Sequence, residues 1–170
     1  VEQQEPVPPA PDKRPVGFDE HALFCAIHRQ AQASLLPRAI LEGKPYPVRA
    51  LVLFGCNTVV TTPDAEAVKR AYQSLDALIV VDPFLTESCE YADVVLPAAT
   101  FAEQPPLRFG PDKRAEASGP PVDAVVDPQG RSRPDARILS ELAARLGMAE
   151  LFPWSDIQDA FSRKRRAVLE

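Results

Sequence analysis

Two short apolar runs, separated by a single helix-length stretch, constrain the fold of this chain most. Residues 50–54 (ALVLF) and 77–81 (ALIVV) are continuously apolar, which is typical of parallel strands that are covered on both faces. Between the runs, apolar residues recur at the i, i+3, i+4 and i+7 spacing of one helix face: Val68, Ala71, Tyr72 and Leu75. A crossover this short favours a right-handed parallel β-α-β unit, so the sequence predicts an α/β fold.

The boundaries of this unit are marked by turn and cap signals. Thr62 is predicted to be the N-cap of the central helix, with Pro63 at its first helical position. Asp82 and Pro83 are predicted to end the second strand, and a short helical turn and a third strand are predicted to follow before Gln104. The sheet is therefore expected to have three consecutive strands.

Polar residues follow the first two strands, where parallel α/β sheets bind their ligands. Gly55, Asn57 and Thr58 come after the first strand, and Asp82 and Thr86 come at or after the end of the second. Asn and Asp also cap turns routinely, so position alone leaves both a binding role and a purely structural role open for these residues.

The residues at these positions are similar to one protein family. Residues 82–88 (DPFLTES) and 91–103 (YADVVLPAATFAE) resemble the "D-x-F-x-T-E-T-A-x-x-A-D-V-V-L-P-A-A-T-x-x-E" stretch of the dimethyl sulfoxide reductase type of molybdopterin oxidoreductases. The resemblance covers residues 16–150, and residues 40–51 (ILEGKPYPVRAL) are most similar to the polysulfide and thiosulfate reductase branch.

The resemblance implies a Rossmann-like parallel sheet flanked by helices, as one fragment of a larger multidomain molybdopterin oxidoreductase. It further implies that this fragment binds molybdopterin guanine dinucleotide, without metal or iron–sulfur ligands of its own. The implied cofactor-binding residues are Gly55, Asn57, Val81, Asp82, Thr86, Gln104 and Asp135. The implied partners are the remaining domains of the catalytic subunit and an iron–sulfur electron-transfer subunit, in a bacterial or archaeal cytoplasm or periplasm.

Two departures from the family pattern oppose that interpretation. Thr58 stands where the family usually has proline, and residues 104–114 (QPPLRFGPDKR) replace the family's "K-D-G-T-x-x-N-x-E-G-R-x-Q". Both favour an alternative: a structural module that has lost the cofactor, like those in the large iron–sulfur subunit of respiratory complex I.

Outside the central unit, the sequence predicts a tail and two helices on the amino-terminal side. Residues 1–15 are polar and proline-rich and are expected to form a flexible tail that precedes an α/β domain over 16–150. Helices are predicted over 18–32 and 35–42, the second stopped by Gly43.

On the carboxyl-terminal side, seven prolines predict an irregular excursion at 104–134. Asp135 is predicted to cap an amphipathic helix that ends at Gly147. A last helix is expected within residues 151–170.

Composition excludes several other functions. The net charge of −5 gives no reason to expect a nucleic-acid partner. No apolar run reaches the roughly 18 residues of a membrane span, and no secretory pattern opens the chain, so neither direct membrane insertion nor a targeting signal is expected. Cys25, Cys56 and Cys89 form no Cys-x-x-Cys pair and are too few for an iron–sulfur cluster. No catalytic triad or phosphate loop is present, so the chain alone is not expected to turn over a substrate.

Overall fold

The computed structural model describes residues 14–28, 30–104 and 124–152. Three regions of the sequence analysis lie wholly or largely outside these ranges: the amino-terminal tail, most of the proline-rich excursion, and the last predicted helix.

Three parallel strands form the sheet, in the order β1-β2-β3. The strands are β1 (Ala50–Phe54), β2 (Ala77–Asp82) and β3 (Val94–Pro97). The first strand coincides with the predicted one, and the second is one residue longer because Asp82 still belongs to it. Helices flank the sheet, so the predicted α/β class is confirmed.

Five α-helices and three 3₁₀ helices accompany the strands in the described residues. The α-helices are α1 (Ala22–His28), α2 (Leu36–Glu42), α3 (Thr58–Thr61), α4 (Ala65–Gln73) and α5 (Asp135–Arg145). The 3₁₀ helices are Ala33–Leu35, Glu87–Tyr91 and Ala149–Leu151. None of the helices in the described ranges is both long and apolar enough to cross a membrane.

The chain divides into two compact units. Unit 1 comprises Val1–Val80 and Leu85–Val95, and unit 2 comprises Val81–Phe84 and Leu96–Glu170, so the division passes through β2 and β3. The core of unit 1 joins the apolar strands to the apolar stripe of α4, as the periodicity predicted. Its buried residues are Leu53, Val59, Val68, Tyr72, Leu78 and Val80.

The central helix begins later than predicted. Its N-cap is Asp64, whose Oδ1 accepts the backbone N–H of Ala67 over 3.0 Å. The prediction of Thr62 as the N-cap, with Pro63 at the first helical position, is wrong. Thr62 instead ends α3, where its N–H donates to the Thr58 carbonyl over 3.0 Å. Because residues 58–61 form a helical turn of their own, the next helix starts only after Pro63.

The other helix boundaries also differ in detail. Helix α1 occupies only part of the predicted 18–32 range, because residues 17–20 form turns before it. Asp135 is the first residue of α5 and not its cap, since Pro134 occupies the N-cap position. Gly147 does end this helix as predicted: its φ is 74°, and the N–H of Met148 donates to the Ala143 carbonyl over 2.8 Å. This is the Schellman arrangement, which satisfies the last carbonyls of a helix.

Candidate functional site

The turn after β1, in unit 1, leaves the backbone of Gly55 accessible. Gly55 is exposed and has a φ of 56°, and among the described residues no heavy atom beyond its two chain neighbours lies within 4 Å of the position that a Cβ would take. A side chain here would strain the backbone and would occupy this open space. A ligand can therefore come close to the backbone of this turn because residue 55 is glycine.

The side chain of Asn57, in the same turn, is held by residues that lie 30 and 31 positions further along the chain. Its Oδ1 accepts the hydroxyl of Ser88 over 3.0 Å and the N–H of Ser88 over 3.3 Å. Its Nδ2 donates to Glu87 Oε2 over 2.5 Å. These three bonds fix the orientation of the amide and leave the second Nδ2 proton available to a further acceptor.

The predicted residue Thr86 and its neighbour Glu87 lie at the start of the 3₁₀ helix Glu87–Tyr91. Thr86 is its N-cap residue, and its hydroxyl lies 3.7 Å from Cys89 Sγ. Glu87 is exposed, and its carboxylate accepts the side-chain N–H of Asn57. Its own backbone N–H and then the Asn57 amide lower the pKa of the Glu87 carboxyl.

Thr58, which replaces the usual proline of the family, forms a side-chain contact within unit 1. Its hydroxyl is hydrogen-bonded to the hydroxyl of Tyr72, a buried residue of α4. Burial raises the pKa of the Tyr72 hydroxyl, so this residue stays protonated at neutral pH. The substitution therefore adds a polar contact between the turn and α4.

Asp82, in unit 2, is a buried acid with 8% of its surface exposed. Its Oδ1 accepts the N–H of Phe84 over 2.9 Å, and its backbone carbonyl accepts the N–H of Ala98 over 3.2 Å. The neighbouring Val81 has no exposed surface at all. Of the predicted Val81–Asp82 pair, therefore, Asp82 is the member that keeps some exposed surface.

Asp135, also in unit 2, is electrostatically coupled to Asp82. Partial shielding of its carboxyl from water, and then the negative charge of Asp82, raise the pKa of Asp135, although the residue as a whole is exposed. Within the described ranges, neither carboxylate forms an ion pair with a lysine or arginine. Two carboxylates without a cation favour a ligand that brings hydrogen-bond donors or positive charge.

Gln104 is not joined to this carboxylate pair by any hydrogen bond among the described residues. Its Nε2 donates to the carbonyl of Ala99 over 3.5 Å, which turns the side chain back onto its own loop. Its predicted role as a cofactor contact stays a prediction.

Two residues that the sequence analysis did not single out organise these turns. Ser88 has no exposed surface and holds Asn57 in unit 1. Glu103, with 7% of its surface exposed, accepts four hydrogen bonds in unit 2. Both are polar residues with polar neighbours within the family-like motif, and the sequence carries no signal that they are buried.

No group of three or more histidine, cysteine, aspartate or glutamate side chains with the geometry of a metal site occurs in residues 14–28, 30–104 and 124–152. Cys25, Cys56 and Cys89 are all thiols, and none of them is part of a disulfide.

The parallel α/β sheet, with polar turns after its strands, agrees with comparisons with known proteins. Residues 33–145 match the profile of the molybdopterin oxidoreductase family. The chain belongs to this family, as the resemblance of residues 82–103 predicted.

Relatives within the family have several different activities. The alpha subunit of F420-dependent formate dehydrogenase from Methanocaldococcus jannaschii is 35% identical over 71% of this chain and 17% of its own length. The molybdopterin-containing subunit PhsA of thiosulfate reductase from Salmonella typhimurium is 32% identical over 69% of this chain and 15% of its own length.

A solved structure supports the same assignment. Acetylene hydratase from Pelobacter acetylenicus superimposes with a TM-score of 0.64 at 29% identity, covering 75% of this chain and 17% of that protein. The chain thus spans less than a fifth of the length of these relatives and corresponds to a fragment of a larger catalytic subunit.

Proposed function

We propose that this chain holds the guanosine end of a molybdopterin guanine dinucleotide in the catalytic subunit of a molybdenum or tungsten oxidoreductase. The observation that carries the proposal is the buried carboxylate of Asp82, which has no cationic partner in the described ranges and acts on the neighbouring carboxyl of Asp135. When bound, the cofactor supplies the metal-centred redox chemistry of the subunit, and this chain supplies binding and orientation.

The residues present fit a guanine base. Guanine presents two adjacent donors, the ring N1–H and the exocyclic N2–H, and one carboxylate can accept both. Asp82 Oδ1 already accepts the N–H of Phe84, but the two oxygens of a carboxylate together offer about four acceptor positions. Asp82 therefore keeps the capacity to bind both donors, with Asp135 as a second acceptor.

On the basis of the family resemblance, we assign Gly55 and Asn57 as further contacts to the nucleotide. Gly55 is exposed, and Asn57 retains one Nδ2 proton beyond its bond to Glu87. We assign Thr86 and Gln104 the same role, as polar contacts to the nucleotide, on the basis of the family resemblance. We also propose that the domain is Rossmann-like.

The rest of the subunit lies outside this chain. We propose that the chain works together with the remaining domains of the catalytic subunit and with an iron–sulfur subunit that carries electrons.

A second candidate function is that of a cofactor-less structural module. The observation in its favour is that side chains of the turn after β1 form hydrogen bonds within the protein. Asn57 is hydrogen-bonded to Ser88 and Glu87, and Thr58 is hydrogen-bonded to Tyr72. Such a turn keeps its shape without a ligand.

Titration of the chain with GMP, IMP and AMP, followed by amide NMR shifts, separates the two candidates. IMP lacks the N2 donor, and AMP lacks both donors of the guanine edge. A hydrogen bond to a charged group contributes about 1.5–3 kcal/mol, so each lost donor is expected to weaken binding about tenfold or more. The expected order of affinity is therefore GMP, then IMP, then AMP.

Asp82→Asn is the informative variant because asparagine can still accept the Phe84 N–H through Oδ1 but loses the charge and one acceptor oxygen. It is expected to abolish the preference for GMP over AMP. Asp127→Asn removes the same charge at an exposed position of the same unit and is expected to leave that preference unchanged. Equal affinity for GMP and AMP, or no shift at millimolar GMP in a chain with a dispersed spectrum, would contradict the proposal and favour the structural module.

A further inference from the structure

The buried carboxylate of Glu103 joins two segments of unit 2 that lie far apart in the sequence. One oxygen accepts the N–H of Thr100 over 2.7 Å and its hydroxyl over 2.9 Å. The other accepts the N–H of Gln129 over 2.6 Å and the hydroxyl of Ser132 over 3.4 Å. An ionised carboxylate can accept from both sides at once, whereas an amide would direct its own N–H groups at the donors on one side.

The segment that Glu103 holds leads directly into the proposed site. Immediately after Ser132, Arg133 pairs with the end of β3: its N–H donates to the Pro97 carbonyl over 3.1 Å, and its carbonyl accepts the N–H of Ala99 over 2.8 Å. Arg133 thus forms a parallel bridge with Ala98. Two residues later, Asp135 begins α5.

The same bridge is connected to Asp82. The N–H of Ala98 donates to the backbone carbonyl of Asp82 over 3.2 Å, so Ala98 contacts β2 on one side and Arg133 on the other. Hydrogen bonds therefore connect Glu103 to the 129–133 segment, and this segment to the residues after β3 that contact the backbone of Asp82. The backbone then continues from Arg133 to Asp135 over two residues.

We propose that Glu103 is a positioning residue that holds Asp135 beside Asp82 and thereby sets the geometry of the carboxylate pair without itself touching a ligand. The consequence for binding rests on the proposed function. The effect on Asp135 does not, because it can be measured in the ligand-free chain.

The charge environment of Asp135 makes this effect measurable. Asp82 approaches it from the end of β2, and Arg133, Arg137 and Glu141 lie just before or within α5. Shielding from water and the charge of Asp82 raise the pKa of Asp135. If Glu103 maintains this placement, its removal will allow Asp135 to move into water and away from Asp82, and the pKa will fall.

The test is a carboxyl ¹³C NMR titration of Asp135 in the wild type, Glu103→Gln and Glu141→Gln. In Glu103→Gln the pKa of Asp135 is expected to fall toward the ordinary aspartate value of about 3.9. Glu141→Gln makes the same chemical change in the same unit and removes the ion pairs of Glu141 with Arg137 and Arg133, but its expected effect on Asp135 is much smaller. An unchanged Asp135 titration in folded Glu103→Gln would overturn the proposal.

A milder variant covers the case in which Glu103→Gln does not fold. Thr100→Val removes only the hydroxyl donor to Glu103 and keeps the backbone donor, so it is expected to shift the Asp135 titration in the same direction by a smaller amount. If Glu103→Gln is unfolded and Thr100→Val leaves the titration unchanged, the proposal is also overturned.

GMP binding to the same variants separates this inference from the proposed function. Glu103→Gln is expected to weaken GMP binding about tenfold, because the acceptor pair loses its arrangement. A shifted Asp135 titration in a chain that does not bind GMP even as wild type would support the positioning role and contradict the guanine site. A shifted titration with unchanged GMP binding would overturn the link between Glu103 and that site.

Discussion

The hydroxyl of Ser88 donates to the side-chain oxygen of Asn57 over 3.0 Å, and the same hydroxyl accepts the backbone N–H of Val59 over 3.3 Å. A single buried serine in the 3₁₀ helix after β2 therefore secures both the polar residue and the backbone of the turn after β1. The shape of this turn depends on a residue that is 31 positions away in the sequence.

Replacing Ser88 with alanine is expected to destabilise the chain by about 1–3 kcal/mol, because it leaves the Asn57 oxygen and the Val59 N–H with unsatisfied hydrogen-bonding capacity. Urea unfolding measures this loss. Ser140→Ala, which removes a hydroxyl that donates to the Arg137 carbonyl on an exposed helix surface, serves as the control and is expected to change stability by less than about 0.5 kcal/mol. Equal effects of the two substitutions would show that the Ser88 network does not support the turn.

Asp64 combines a helix cap with a left-handed backbone, at a φ of 58°. Asp64→Ala removes the acceptor for the Ala67 N–H, and its side chain cannot form hydrogen bonds that support the left-handed backbone. The free energy of unfolding is therefore expected to fall by about 1–2 kcal/mol. Asp64→Gly also loses the cap but tolerates the backbone, and is expected to cost less. The two melting temperatures test this order, and a glycine variant less stable than the alanine variant would contradict it.

The core of unit 1 depends on Leu78, which is completely buried in β2. Leu78→Ala is expected to lower the free energy of unfolding by about 2–5 kcal/mol, since it removes apolar contacts and leaves a cavity. Leu85→Ala makes the same change at a position that is 86% exposed and is expected to stay within about 0.5 kcal/mol of the wild type. Denaturant unfolding of both variants provides the comparison.

The carboxyl groups predict how stability depends on pH. Hydrogen bonds from the backbone of Glu87 itself, from the Thr100 backbone to Glu103, and from Arg137 to Glu141 lower the pKa of each of these three glutamates. Their stabilising contribution is complete above the ordinary glutamate pKa of about 4.3 and is lost as the pH falls through the lowered folded-state values. Asp135 acts in the opposite sense, because its pKa is raised and its contribution is lost as the pH rises through the folded-state value.

Because three glutamates lose their stabilising contribution at low pH and one aspartate has the opposite dependence, the chain is expected to lose stability below about pH 4. Urea midpoints at pH 7, 5, 4 and 3 measure this dependence. The stability difference between wild type and Glu103→Gln is expected to shrink between pH 7 and pH 3, because the advantage of the Glu103 charge is lost as the pH falls toward its lowered pKa. A midpoint that increases from pH 5 to pH 3 would contradict the assignment.

The sequence by itself determined the α/β unit. The apolar runs of β1 and β2 and the helical periodicity of α4 are local patterns, and each is visible within about ten residues. The family motif at 82–103 and the helix stop at Gly147 are equally local, and the structure and comparisons confirm them. The start of α4 was predicted wrongly because Thr62 and Asp64 are both good caps, and only the formation of α3 decided between them.

The tertiary structure decided which polar residues act together. Asn57 with Ser88, Glu103 with Gln129, and Asp82 with Asp135 are pairs separated by 26 residues or more, so no local pattern brings them together. The tertiary structure also decided which polar residues are buried. Ser88 and Glu103 look like ordinary surface residues in the sequence, and they become buried acceptors only when distant segments fold over them. Periodicity encodes which face of an element is apolar, whereas the partner of a buried polar group is set by how the elements pack.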